Sequence, residues 1–264
     1  MIRGAAPMTA AAALAGSELR RFARQPSRLI ATLGAPLLVW AFLGAGFARA
    51  VGLPGAQEGF AAFALPGALT LVVLFGSVFA AISLIEDRAS GLLQSVLAGP
   101  TAPATVALGK TLGGSVLCLA QAALLLPLAW MVGLSPTPVH VLAAVAVLAC
   151  IAIGISGLCL ALAWIIDSTS GFHGIMNLVL MPMWLLSGAV VPKESASGWM
   201  ASVVAVNPLT WPTDALRTLL AGETPGAVAI VGAAGFALLG AVVAYGSIGR
   251  RPRSGNATPT HREP

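Results

Sequence analysis

One run of residues has the spacing of a chemical device. Ala104-Thr105-Val106-Ala107-Leu108-Gly109-Lys110-Thr111 ends as a phosphate-cradling loop ends, G-x-x-x-x-G-K-[ST]. Ala104 stands where the first glycine is required, however, and the run opens an apolar helix instead of following a strand, so its backbone could not wrap a nucleotide. Gly109 and Gly113 have the small-xxx-small spacing that lets helices pack closely, and Lys110 is expected to snorkel to headgroups. Cys118, Cys150 and Cys159 are odd in number and all lie in apolar runs, where they read as small hydrophobes and not as a disulfide or metal set. His140 and His173 fall at the edges of such runs and receive no role. No Ser/His/Asp set, carboxylate pair or metal-ligand spacing occurs in a plausible place, so no catalytic or metal site is expected.

The other polar run extends from Glu86-Asp87-Arg88 to Pro100. Leu92, Leu93, Val96 and Leu97 fall at i, i+1, i+4 and i+5, one face of a short helix, while Gln94 and Ser95 point the other way. Gly91 precedes that face, and Gly99 with Pro100 stops it. The chemistry available here is contact: a small two-faced helix between apolar blocks can take a push from a soluble partner. The alternative reading is a helical turn resting on a lipid surface with no partner.

The elements that must position these residues follow from composition. At 264 residues the chain is 58% hydrophobic and 9% charged, against about 25% charged in soluble domains. It cannot cover a globule with polar surface, so the expected fold is an all-α, polytopic membrane protein. Its net charge of +5 sits mostly at the two ends and not on an aromatic-studded stripe, which argues against nucleic acid. A span takes about 20 mainly apolar residues. Residues 29–48 (with Pro36 as a kink), 60–85, 105–133, 139–166, 172–191 and 227–248 each qualify, giving six expected spans within a 29–248 transmembrane domain. Leu134-Ser135-Pro136-Thr137-Pro138 is a tight hairpin between two of them.

Residues 1–28 carry Arg20, Arg21 and Arg24 after their apolar run, the reverse of a secretory signal. They read as an uncleaved amphipathic helix at the headgroups, with Leu14, Leu19 and Phe22 in the interface. Residues 249–264 read as a disordered basic tail. With the N-terminus inside, eleven of the Lys and Arg residues fall on inner segments and three (Arg49, Lys193, Arg217) on outer ones, so both termini and 86–100 are expected to be cytoplasmic.

The outer connection, 192–226, is too long for a hairpin and too apolar for a free loop. Pro208 and Pro212 suit helix starts, Leu209, Leu216, Leu219 and Leu220 line one side, and Gly222 ends it. Trp199 and Trp211 belong at an interface. One or two short helices dipping into the outer leaflet are expected there. Asp214 and Arg217, three apart, either pair or stay solvated.

No Asp, Glu, Lys or Arg lies at mid-depth of a span, which weakens the case for an ion-driven carrier. Gln121 and Asn177 are the polar side chains nearest mid-span, and interhelical hydrogen bonds are favoured over substrate contact. Trp130, Trp164 and Trp184 with Phe75 and Phe79 either pack or line an apolar path. Phe75, Gln121, Asn177 and Trp184 are the candidates for a substrate path.

Three pieces in order carry a resemblance. Glu86-Asp87-Arg88 with Gly91-Leu92-Leu93, Gly99-Pro100 and Gly109-Lys110 has the form E-x-R-x-x-G-x-L. Leu186-Ser187-Gly188-Ala189 with Val191-Pro192 comes next, then Asn207-Pro208-Leu209-Thr210 with Asp214-Ala215-Leu216-Arg217. Over roughly residues 20–250 the chain resembles the type-2 permease family of ABC transporters, which includes antibiotic-resistance exporters of the daunorubicin type and exporters of polysaccharide. Ala196-Ser197-Gly198 before Trp199 departs from relatives that carry a Pro there. The resemblance implies a cytoplasmic-membrane permease working with a second permease copy, the same or related, and with two copies of a soluble ATPase that hold ATP and Mg, leaving no cofactor on this chain. It makes 86–100 the ATPase contact and a hydrophobic or amphipathic small molecule the exported cargo. A lipid-linked glycan exporter and a non-transporting scaffold or immunity protein stand as alternatives.

Overall fold

The computed structural model describes residues 16, 20, 24–44, 56–92, 94, 103–190 and 197–248. Helix breaks fall where Pro, Gly or a hydroxyl cap permits them. Helix α1, Pro26–Phe42, has Pro in its first turn and Pro36 inside. Helix α2, Ala56–Ala89, runs 34 residues. Helix α3 is Pro103–Leu124, and after a turn the chain forms the short helix Leu128–Met131. Helix α4, Pro138–Ile165, starts at Thr137, whose side chain accepts from the His140 amide. Helix α5, Thr169–Trp184, starts at Ser168, which accepts from the Gly171 amide, and it unwinds into a π-turn, Leu185–Ala189. Two short helices come next, α6 (Trp199–Val206) and α7 (Thr210–Leu220), and then α8, Ala227–Ile248. No strand occurs among the described residues.

Among the described residues, five segments are long and apolar enough to cross a membrane: Gly59–Ala89, Leu108–Met131, Pro138–Ile165, Thr169–Ala189 and Ala227–Ser247. The sequence leads one to expect six. The apolar part of α1 is only Ile30–Phe42, and the 17 residues of α1 rise roughly 25 Å, short of a core of about 30 Å; residues 45–48 of the expected first span lie outside the described residues. Two boundaries also move. The expected span 105–133 breaks at residues 125–127, where Pro127 cannot continue the ladder. The second helix does not stop at residue 85 but carries Glu86, Asp87 and Arg88 as its last turn, because Glu and Arg are good helix formers.

The core is built on α2 and α4. Leu65, Leu69, Leu71 and Val72 of α2 meet Leu148, Ile151 and Ile155 of α4, with Phe172 and Leu180 of α5 and Phe236 of α8 in the same cluster. Helix α4 packs against α8, α2, α3 and α7. Its approach to α8 is close enough that a Cβ on Gly157 would run into the Gly240 carbonyl. Helix α5 buries only Phe172, Met176, Leu180 and Trp184, one stripe at i+4 spacing, and leaves its other faces exposed.

Most of the expected N-terminal amphipathic helix, including Leu14, Leu19 and Phe22, lies outside the described residues, as do Leu93, Val96, Leu97, Gly99, Pro100 and the 249–264 tail.

Candidate functional site

Consecutive residues on a helix point about 100° apart, so a run of three charges reaches three different neighbours. At the end of α2 each finds one. Glu86 Oε1 accepts from Arg28 Nη2 of α1 at 2.8 Å. Asp87 Oδ2 accepts from Lys110 Nζ of α3. Arg88 Nη1 donates to Asp167 Oδ1, in the link between α4 and α5, at 2.7 Å. Arg88 Nη2 also donates to the carbonyls of Trp164 at 2.9 Å and Ala163 at 3.3 Å, and its guanidinium lies 5.4 Å from the Trp164 ring centre. The last carbonyls of a helix lack partners and carry partial negative charge, so Arg88 caps α4 while its charge is shared with Asp167. Just beyond, Gly91 takes φ 76°, a conformation that favours glycine, and its amide donates to the Arg88 carbonyl at 3.2 Å. Leu92 is exposed there.

Lys110 does not snorkel. Its side chain is 6% exposed and that of Asp87 8%, and Nζ also donates to Ser83 Oγ at 3.4 Å. With a carboxylate at hand inside the bundle, pairing replaces hydration.

The second polar knot closes the π-turn of α5. Asn207 Nδ2 donates to the Met183 carbonyl at 2.7 Å, and its Oδ1 accepts from the Leu209 amide at 3.0 Å. Ser187 Oγ donates to the Trp184 carbonyl at 2.6 Å, and Thr210 Oγ1 to the Val204 carbonyl at 2.8 Å. Arg217 Nη2 donates to the Gly188 carbonyl, and its guanidinium lies 4.3 Å from the centre of the Phe63 ring. Pro208 is half-buried between the two short helices. Asp214 gives its main-chain carbonyl to Thr218 Oγ1 at 3.0 Å. An unwound helix end exposes carbonyls that must find donors, and Asn207, Ser187 and Arg217 supply them.

Both knots lie within residues 9–221, the stretch matched by the family signature described as ABC-2 type transporter. The chain belongs to the ABC-2 type transporter family. A curated relative, the ycf38 protein of Cyanophora paradoxa, described as a candidate transport permease, is 24% identical over 199 residues, covering 74% of this chain and 69% of the relative. Family and apolar helices together make this a multi-pass membrane permease subunit, and the family implies an ATPase partner in general.

In this ABC-2 permease the four candidate path residues do not gather. Trp184 lines an apolar cleft with Pro36, Trp40, Leu43, Ala68 and Val190, and none of the other three lines it; the Trp184 indole donates to the Gly67 carbonyl at 2.8 Å. Asn177 is exposed on α5, and Phe75 is half-buried. Gln121 is 5% exposed and neither amide atom has a hydrogen-bond partner, so the expected interhelical bond is not made. Its Oε1 lies 3.1 Å from where a Cβ on Gly76 would stand.

Around it runs a polar seam that sequence reasoning missed. Ser77 Oγ of α2 lies 3.0 Å from Ser156 Oγ of α4 and 3.5 Å from Cys118 Sγ of α3. Ser115 Oγ of α3 donates to the Thr111 carbonyl at 2.7 Å and to the Ala152 carbonyl of α4 at 3.2 Å. The available signal was the spacing Thr111, Ser115, Cys118, a small polar stripe on one face of an otherwise apolar helix.

Proposed function

We propose that this chain is the permease subunit of an ATP-driven exporter that moves a hydrophobic or amphipathic small molecule across the cytoplasmic membrane. A separate ATPase binds ATP and presses on residues 86–100 from the cytoplasmic side, and two permease copies form the path. With residues 29–48 as the first span, the chain crosses the membrane six times. The observation that carries this reading is the end of α2. Glu86, Asp87 and Arg88 tie it to α1, α3 and the α4–α5 link, so force applied to the adjoining segment reaches most of the bundle.

Nothing in the spans offers a competing source of energy. The ionisable pair Asp87–Lys110 joins helix ends, and a proton or ion relay needs carboxylates or histidines at mid-depth. The polar groups within the spans, Ser77, Ser115, Gln121 and Ser156, are buried between helices, and with a lone Tyr, Tyr245, this favours an apolar cargo over a glycan, whose hydroxyls call for hydrogen-bond partners and stacking rings.

The test is the double variant Leu93→Asp/Leu97→Asp in the permease copurified with its ATPase and placed in vesicles, with daunorubicin as the fluorescent probe cargo. Expected is transport lost while the permease is made and inserted at its usual level. Transport at the parent rate would overturn the assignment of 86–100 as the contact.

A further inference from the structure

Three consecutive charges at the end of α2 differ in how much water reaches their pairs. Asp87 and Lys110, which join α2 to α3, are both withdrawn from water. Arg88 and Asp167, which join α2 to the α4–α5 link, leave Arg88 14% and Asp167 82% exposed. Glu86 and Arg28 lie between, at 35% and 19%. Parting two enclosed charges gives neither of them hydration in return, whereas Asp167 is already in water and Arg88 keeps its bonds to the Trp164 and Ala163 carbonyls when the carboxylate leaves. The most enclosed and the most exposed tie therefore sit on adjacent residues of one helical turn.

We propose that this turn is a junction with one fixed and one releasable tie. Asp87–Lys110 keeps α2 and α3 together as a single lever through the transport cycle, while Arg88–Asp167 opens and re-forms as that lever shifts against the α4–α5 link. These four are positioning residues. The proposal rests on the reading of 86–100 as the ATPase contact. The segment between α2 and α3 is attached to both helices of the lever, so a push on it moves the two as one body.

The surfaces that would slide are suited to it. Helices α2 and α3 meet α4 through Ser77, Ser115 and Ser156 and through Gly114, where a Cβ would stand 3.6 Å from Ser156 Oγ. Small hydroxyl contacts can be exchanged for others after a short shift, unlike interlocked large side chains. Asp167 lies between the end of α4 and the Ser168 cap of α5, outside any helix, where a change of backbone angle disturbs no ladder.

Reversible bridging tests the junction. Two double-cysteine permeases, Arg88→Cys/Asp167→Cys and Asp87→Cys/Lys110→Cys, are made with Cys150→Ala, since Cys118 and Cys159 are wholly buried. Each is copurified with the ATPase, bridged with a short bis-methanethiosulfonate and assayed for ATP hydrolysis and daunorubicin transport. The 88–167 bridge is expected to slow transport by about tenfold or more, as when a conformational step is blocked, with recovery on reduction. The 87–110 bridge is expected to leave it within about twofold of the unbridged variant, since that tie never opens. An 88–167 bridge without effect, or an 87–110 bridge that stops transport, would overturn the proposal.

Should loss of the enclosed pair impair folding, the swap Asp87→Lys/Lys110→Asp is expected to restore the yield lost in either single variant, and failure to restore it counts against a fixed tie. The two readings fail differently. Transport indifferent to Leu93→Asp/Leu97→Asp but stopped by the 88–167 bridge keeps the junction and moves the contact elsewhere. The reverse pattern keeps the contact and removes the junction.

Discussion

Lys110 has a four-carbon stem and stands near the start of α3, where water would be within reach of its ammonium. Asp87 takes the charge instead, and both side chains are enclosed. Removing one partner leaves the other's charge enclosed without its counter-ion, a loss of about 3–5 kcal/mol. Lys110→Met is therefore expected to lower the thermal unfolding midpoint of the detergent-purified permease sharply. Asp167→Asn removes an exposed partner and is expected to cost less than about 1 kcal/mol, because Arg88 keeps its carbonyl and ring contacts. Equal losses in the two variants would contradict the difference in enclosure. The sequence marks Glu86, Asp87, Arg88 and Lys110 as rare charges beside apolar runs. It does not show that Asp87 and Lys110 meet, because they lie 23 residues apart on different helices and helical periodicity orients each residue only within its own helix.

At the scale of elements, the apolar blocks are legible and their ends are not. Helix α2 passes through its three charges because charge does not stop a helix; Gly91, with φ 76°, does. Helix α5 ends differently. Pro182 removes an amide, the next turn unwinds to π geometry, and the carbonyls of Met183, Trp184 and Gly188 bond to side chains of Asn207, Ser187 and Arg217. The N-P-x-T and D-x-x-R runs were recognisable as motifs, but the helix end they close was not, since a π-turn has no composition of its own. Asn207→Ala removes a donor and an acceptor at once. It is expected to cost about 1–3 kcal/mol, the range for leaving a buried polar group unmet, read as a lower unfolding midpoint. Asn207→Asp keeps the acceptor for the Leu209 amide but sets a carboxylate oxygen against the Met183 carbonyl, so it is expected to lose at least as much as Asn207→Ala. An unchanged midpoint for Asn207→Ala would show that α5 and α6 are joined by apolar packing alone.

Across the whole molecule, composition is enough to read an all-helical membrane protein, and the order of three motifs is enough to read the family, which the match over residues 9–221 bears out. The polar seam of Ser77, Ser115, Cys118 and Ser156 was hidden because serine and cysteine are ordinary in membrane helices, and only the packing of three helices brings them into line. Everything proposed about energy supply requires the segment between α2 and α3 to face the compartment that holds ATP. The direct measurement is labelling of Ser95→Cys, in the Cys150→Ala background, with a membrane-impermeant maleimide. Intact cells are expected to give no labelling at residue 95, and permeabilised cells full labelling that the bound ATPase reduces. Labelling on intact cells would place the segment on the outer face and contradict the account.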